Sequence, residues 1–263
     1  MGVGSNNNNP EESERRYRAP ALEKGLDILE LLAREGEPLN TPQMAAKLGR
    51  SVSELFRMVL TLEDRGYIVQ ARGREGYGLT NKMFSMGLAQ TPMRSLVELA
   101  AQEMKTLAEE IGQSCHMTVV SNRQIVVVAR IESPRDLGFS VRLGYRRPVV
   151  ESTSGVILYA FLPDGEKQHG LAELARGTDQ KVMEQFLSKV ELAEKDGFIK
   201  SPSDFVEGII DLSAPILGNK GVIAALTVPY VRCFPAKTNA DETLDFLRAA
   251  CKRLSELLLS EGR

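Results

Sequence analysis

TPQMAAKLGRSVSELFRMVLTLEDRGYIVQARGR, residues 41–74, decides how the first third of this chain folds. Thr41 reads as a helix N-cap with Pro42 at the first helical position, and Met44, Ala45 and Leu48 give a short buried face that ends at Gly49. Ser51 and Glu54 have the spacing of a capping box, in which each side chain satisfies the other residue's free backbone amide. Leu55, Val59 and Leu62, with Met58, make the apolar stripe of a longer helix, and Gly66 ends it in a left-handed conformation. Tyr67-Ile68-Val69 begins a strand, Gly73, Gly76 and Gly78 allow a turn, and YGLT (77–80) returns. So few residues join the two helices that they must cross. Helix, tight turn, helix and β-ribbon in that order predict a winged helix-turn-helix, which sets one helix in the major groove of DNA and a hairpin against its backbone.

Upstream, a first helix is expected from Pro20 to about Arg34, with Leu22, Leu26, Ile28, Leu29, Leu31 and Leu32 on a broad apolar face and Gly36 and Pro38 as stops. Residues 1–19 are polar and Asn-rich and read as a disordered tail. Its Arg15-Arg16-Tyr17-Arg18 resembles a minor-groove arm, although Glu11, Glu12 and Glu14 offset the charge.

Charge sorting supports the DNA interpretation. The chain as a whole has a net charge of −2, so no chain-wide basic field marks a nucleic-acid binder. Residues 20–37 hold two basic and five acidic residues, whereas residues 47–74 hold six basic (Lys47, Arg50, Arg57, Arg65, Arg72, Arg74) and three acidic. The sign reverses where phosphates would lie. Thr41, Arg50, Ser51, Ser53, Glu54 and Arg57 are the candidates for base and phosphate contact, and Arg72 and Arg74 at the wing tip for backbone or minor groove. Glu54 counts against DNA unless it accepts from a cytosine amino group or serves only the capping box. A three-helix protein-interaction module with solvated charge stays open as an alternative.

Downstream, Asn81–Thr91 is expected to be a short linking helix closed by Thr91-Pro92, and Ser95-Leu96-Val97-Glu98 a second capping box that opens a long helix to Ile111. Strands are expected at CHMTVV (115–120), QIVVVARIE (124–132) and FSVRL (139–143). Helices follow at 152–162 and 178–195, then a hairpin of GIIDLSAPIL and VIAALTVPYV about a turn at Gly218–Gly221, then a closing helix at 239–259. The fold class is therefore α+β, with an antiparallel sheet and helices on it. The expected domains are a tail (1–19), a winged helix-turn-helix (20–80), a linker helix (81–94) and a second domain (95–263).

With 263 residues, 43% hydrophobic and 26% charged, the chain suits two ordinary globular domains. Cys115, Cys233 and Cys251 form no CxxC pair, which excludes a zinc module or disulfide framework and fits a reducing cytoplasm. No apolar run approaches the ~18 residues of a membrane span. Only His116 and His169 are present, and no metal-ligand spacing, GxSxG elbow, P-loop or GxGxxG occurs, so no cofactor and no enzyme is expected. An enzyme with a regulatory helical domain is the more remote alternative.

Taken together, ALEKGLDILELLA (21–33), MAAKLGRSVSELFRMVLTLEDRGYI (44–68), YGLTNKMFSMG (77–87), LGYRRPVVESTSGVILYAFL (143–162) and DFVEGIIDLSAPILGNKGVIAALTVP (204–229) resemble the IclR family of transcriptional regulators, in the family's order and over nearly the whole chain after the tail. The resemblance implies a DNA-binding winged helix and a GAF-like or profilin-like effector-binding domain that senses a small molecule, such as an organic, aromatic or sugar acid. It also implies dimers or tetramers on palindromic operators. The family usually carries Ser-Thr or Thr-Thr where this chain has Ser53-Glu54, which implies an unusual operator. Asp204 stands where an acidic residue is common, but a second nearby acidic position is taken by Ser201 or Ser203.

By that resemblance the effector lies between the sheet and the helix beginning Ser152-Thr153-Ser154-Gly155. A helix N-terminus suits a carboxylate, the hydroxyls of Ser152, Thr153 and Ser154 add donors, and Gly155 is expected to leave room. A plain N-cap with a glycine for close packing is the alternative. Asp211, Ser213 and Thr227 interrupt otherwise apolar strands and need hydrogen-bond partners, for which a ligand is one candidate. Asp211 suits a hydroxyl-bearing or cationic ligand, or a pairing with Arg130, which is itself a candidate carboxylate clamp. Met117 and Leu143 are candidate apolar walls. His116 reads more readily as a satisfied structural group.

Overall fold

The computed structural model describes residues 19–261 apart from 72, 74, 89, 90 and 137. Two compact units divide the chain, Met1–Thr91 and Pro92–Arg263. The expected tail with its Arg15–Arg18 arm, and the wing residues Arg72 and Arg74, lie outside the described residues.

The first unit has helices α1 (Pro20–Glu35), α2 (Thr41–Leu48) and α3 (Val52–Asp64), a ribbon of β1 (Ile68–Gln70) and β2 (Tyr77–Leu79), and α4 (Lys82–Leu88). Ile28, Leu31, Met44, Leu55, Val59 and Ile68 meet in one buried cluster. Burying each larger side chain of this kind contributes about 1.5–3 kcal/mol, which is how short helices of modest propensity hold their crossing angle. The N-cap of α2 is Asn40, not Thr41. Asn40 Oδ1 accepts from the Gln43 amide at 2.9 Å and Gln43 Oε1 accepts from the Asn40 amide at 2.9 Å. That box puts Thr41 and Pro42 inside the first turn. Gly66 has φ 70°, as the end of α3 requires. At the ribbon, Leu39 and Tyr77 exchange backbone bonds of 3.1 and 2.8 Å. Gly76 (φ 125°) lies so close that a Cβ would stand 2.7 Å from the Leu39 carbonyl carbon, so only glycine fits there.

In the second unit, α5 (Thr91–Ile111) leads into a six-stranded sheet of order β5-β4-β3-β8-β7-β6, antiparallel at every pairing. The strands are β3 (Cys115–Ser121), β4 (Gln124–Ile131), β5 (Arg146–Pro148), β6 (Ile199–Pro202), β7 (Ile209–Gly218) and β8 (Gly221–Val231). The helices are α6 (Thr153–Ala160), α7 (Asp164–Ala175), α8 (Gln180–Asp196) and α9 (Ala240–Glu261). Thr91 and Pro92 open α5 instead of closing α4, because Pro is well placed in a first turn. Ser95 and Glu98 therefore stand within the helix. The expected strand at 139–143 is absent: Phe139–Arg142 is irregular, and the edge strand is β5. α7 had no counterpart among the sequence expectations.

Strand parity sorts the two faces. Cys115, Met117, Leu212, Ala214, Leu226 and Val228 pack on α5 and α9. The intervening residues His116, Asp211, Ser213 and Thr227 point to the opposite face, where α6 and α8 lie over the sheet. The polar interruptions of β7 and β8 thus share one face.

Candidate functional site

The first turn of α3 is built on Ser51. Its hydroxyl caps the Glu54 amide at 3.3 Å, and Glu54 Oε2 accepts from the Ser51 amide at 3.0 Å and the Ser51 hydroxyl at 2.9 Å. Glu54 Oε1 accepts from Lys24 Nζ of α1 at 2.9 Å. The Lys24 and Ser51 hydrogen bonds hold the Glu54 carboxyl well below the usual carboxylate range, at about 2. Both its oxygens accept from protein donors, so Glu54 braces the helix start to α1.

The basic residues divide into two groups. Arg50 Nη2 lies 2.8 Å from Asp27, and Lys47 Nζ lies 2.9 Å from Glu35, so the acidic α1 is stitched to the helix-turn-helix. Arg57 is exposed on the outer face of α3, with no ion pair among the described residues, beside exposed Ser53. Phe56, 53% exposed, shares that face. The sequence reading missed Phe56, whose only signal is an apolar residue off the helix's core stripe.

The second site lies under the N-terminus of α6. Ser152 caps this eight-residue helix, accepting from the Gly155 amide at 3.0 Å. The Thr153 and Ser154 N–H groups have no partner within the helix. A cavity of about 30 Å³ opens here, bounded by Ser152, Thr153 and Ser154, by His116, Asp211 and Thr227 of the sheet, and by Ile125, Phe139, Val141, Tyr145, Arg147 and Phe205. Asp211 accepts from the Thr153 hydroxyl at 3.3 Å. Burial raises the Asp211 carboxyl above its ordinary range, partly opposed by the Thr153 hydrogen bond. His116 is 8% exposed, its Nδ1 has no hydrogen-bond partner, and burial lowers its pKa from 6.5 to about 4, so the imidazole is neutral at pH 7. A buried ring nitrogen without a partner is unusual and calls for one.

Of the expected effector residues, Ser152, Thr153, Ser154, Asp211 and Thr227 come together here. The others do not. Met117 is in the core on the opposite face of the sheet, because it is one residue out of phase with His116. Ser213 is on the correct face but wholly buried, bonded to Thr227 at 2.8 Å. Leu143 is 59% exposed in a turn. Arg130 pairs with Glu132 at 2.8 Å and reaches Ser140 at 3.4 Å, not Asp211. Gly155 makes no space for a ligand: a Cβ there would stand 2.1 Å from the Val149 carbonyl oxygen, so the glycine serves the close seating of α6 on the turn before it.

No helix among the described residues is long and apolar enough to cross a membrane. Comparison with known proteins agrees with both halves of this architecture. The helix-turn-helix model of the IclR family matches residues 21–72, and the model of the bacterial transcriptional regulator IclR C-terminal region matches residues 90–256. The regulator KdgR of Dickeya chrysanthemi is 25% identical over 238 residues, covering 89% of this chain and 78% of its own length. The p-hydroxybenzoate hydroxylase transcriptional activator of Acinetobacter baylyi is 24% identical over 254 residues, covering 90% and 91%. Among solved structures, an IclR homologue from Microbacterium hydrocarbonoxydans complexed with 4-hydroxybenzoate superposes with a TM-score of 0.75 at 18% identity, over 90% of this chain and 98% of that one. The Thermotoga maritima IclR superposes with a TM-score of 0.64 at 20% identity, over 90% and 98%. At such identities the structures speak for the fold alone. The two family models together span most of the chain, from the winged helix to the last helix, and the chain belongs to the IclR family of DNA-binding transcriptional regulators with an effector-binding domain.

Proposed function

We propose that the effector of this regulator is a small aromatic acid carrying a hydroxyl group, bound under the N-terminus of α6. The observation that carries this reading is the unpartnered His116 Nδ1 and the Asp211 carboxylate facing a cavity whose other walls include Phe139, Tyr145 and Phe205. A ligand hydroxyl donates to Asp211 or His116, the ring fills the aromatic walls, and the carboxylate meets the free amides of the α6 first turn or Arg147. The relative named for p-hydroxybenzoate hydroxylase activation and the homologue complexed with 4-hydroxybenzoate support this chemistry. A void of about 30 Å³ holds roughly one water. Ligand entry therefore requires the walls to part.

On the DNA side, Ser53 and Phe56 of α3 read the operator and Arg57 holds a phosphate, while Glu54 and Arg50 hold the reading helix in place. The protein acts as a dimer or tetramer, each protomer supplying one α3 to a palindromic site. The effector acts by binding operator-competent and operator-incompetent arrangements unequally. Isothermal titration of the full chain with 4-hydroxybenzoate, benzoate and succinate tests the effector class. The expected order of affinity is 4-hydroxybenzoate, then benzoate, then succinate. Equal affinity for 4-hydroxybenzoate and succinate overturns it.

A further inference from the structure

Beside this cavity is a second one of about 300 Å³, lined by Arg147, Glu151, Ser152, Val182, Lys189 and Asp204 among others. The two cavities share Arg147 and Ser152. Ser152 is fixed as the α6 N-cap and is buried. Among the described residues, the Arg147 side chain meets Glu151 and Phe205: its Nε donates to the Glu151 carbonyl at 2.8 Å, its Nη2 lies 3.5 Å from the Glu151 carboxylate, and its guanidinium stacks 4.7 Å from the centre of the Phe205 ring. Phe205 lines the inner cavity and is 43% exposed. Its neighbour Asp204 lines the outer one and is paired with Lys189 at 2.7 Å.

We propose that the outer cavity is an anteroom for the effector and that the Arg147–Phe205 stack is the movable partition between it and the inner cavity. The proposal rests on reading the inner cavity as the effector site. Both are side chains that can swing without breaking the β5 ladder or the hydrogen bonds within α6. Parting them costs one cation–π contact, and swinging Arg147 away also costs its Nε bond to the Glu151 carbonyl and a partly exposed ion pair, each modest. The partition also selects. A carboxylate in the outer cavity competes with Glu151 for the Arg147 fork, and drawing Arg147 away from Phe205 opens the way inward. Neutral or cationic molecules offer Arg147 no such exchange. Lys189, neutralised by Asp204, and Glu151 leave Arg147 as the group that reads charge at this point.

A thiol placed in the inner cavity tests this without any effector. In full-length Thr227→Cys, or Ser154→Cys if the first does not fold, labelling of the introduced thiol by methanethiosulfonate reagents is followed by peptide mass spectrometry. Buried Cys115 and Cys251, in the core on the other side of the sheet, report general loosening in the same sample. Adding Phe205→Ala is expected to raise labelling of the introduced thiol by about tenfold with Cys115 and Cys251 unchanged. Adding Arg147→Gln is expected to lower the ratio of anionic to cationic reagent labelling severalfold. Unchanged rates and ratios in both variants overturn the proposal, as does faster labelling of all three thiols together. Acceleration by Phe139→Ala alone places the entrance at the irregular segment and likewise overturns it. Failure of 4-hydroxybenzoate to bind contradicts the effector reading but leaves these labelling results standing, so the two are distinguishable.

Discussion

Lys24 of the first helix and Glu54 of the reading helix meet at 2.9 Å, and this pair joins α1 to the first turn of α3. Glu54 occupies the position where the resembling family usually has a hydroxyl, and its other oxygen closes the capping box on Ser51. The substitution that made the operator look unusual is thus accounted for by bracing within the domain. Glu54→Gln keeps the reach to Ser51 and loses the charge. It is expected to leave the operator's base preferences unchanged in a selection from random DNA. Because the folded-state pKa is depressed to about 2 from 4.5, the stability Glu54 contributes is present above pH 4.5 and is lost as pH falls towards 2. Thermal unfolding of the variant should therefore lose that part of the acid dependence. A changed preference at a cytosine position would show that Glu54 reads bases after all.

Arg57 and Phe56 are expected to fail in different ways. Arg57→Ala should weaken binding to all sequences alike and reduce the slope of log affinity against log salt by about 1. Phe56 offers an apolar contact to a thymine methyl. Replacing the contacted thymine by uracil should cost the wild type on the order of 1 kcal/mol and cost Phe56→Ala nothing further. Anisotropy titrations of the selected operator and its uracil forms measure both effects.

Gly155→Ala separates packing from ligand space. The added methyl meets the Val149 carbonyl at 2.1 Å, and α6 is buried along its whole length, so there is nowhere for it to move. A loss of about 1–3 kcal/mol is expected in denaturant unfolding of the second unit without any ligand. A variant of unchanged stability that merely fails to bind effector would restore the view that this glycine makes room.

His116 gives the second unit a pH dependence. A buried base depressed from 6.5 to about 4 is neutral in the folded chain and takes up its proton on unfolding. The stability is complete above pH 6.5 and falls as pH drops through that window, by about 3 kcal/mol in total. His116→Gln should flatten the fall between pH 6.5 and 4 in chemical denaturation, and an undiminished slope would assign it to other groups.

Much of this was legible in the residues. The capping box at Ser51 and Glu54, the stop at Gly66 and the alternation in β7 and β8 each follow from local chemistry, and they placed the elements that carry both sites. The α2 cap was misassigned although Asn40 and Gln43 have capping-box spacing, since Thr41 next to Pro42 offers an equally good local signal. Phe139–Leu143 alternates like a strand, but the chain meets the edge of β4 only from Gly144 and Tyr145, which bond Val127, and pairs as β5 from Arg146. The pocket was half legible. Polar residues inside apolar strands mark Asp211 and Thr227, but which face Met117 or His116 takes depends on the register of β3 against β8. Arg147 and Phe205 are far apart in sequence and unremarkable in type, so their stacking exists only in the folded chain.

The central claim is that the cavity under α6 governs operator binding. Its most direct test is fluorescence anisotropy of a selected operator with 4-hydroxybenzoate titrated into wild type and Ser154→Thr, a change that adds one methyl to the cavity of about 30 Å³ beside the α6 first turn. The wild type should shift its operator affinity by about tenfold in one direction. Ser154→Thr should bind the operator as tightly without ligand and show a much smaller shift. An equal shift in both proteins, or none in the wild type, would contradict the account.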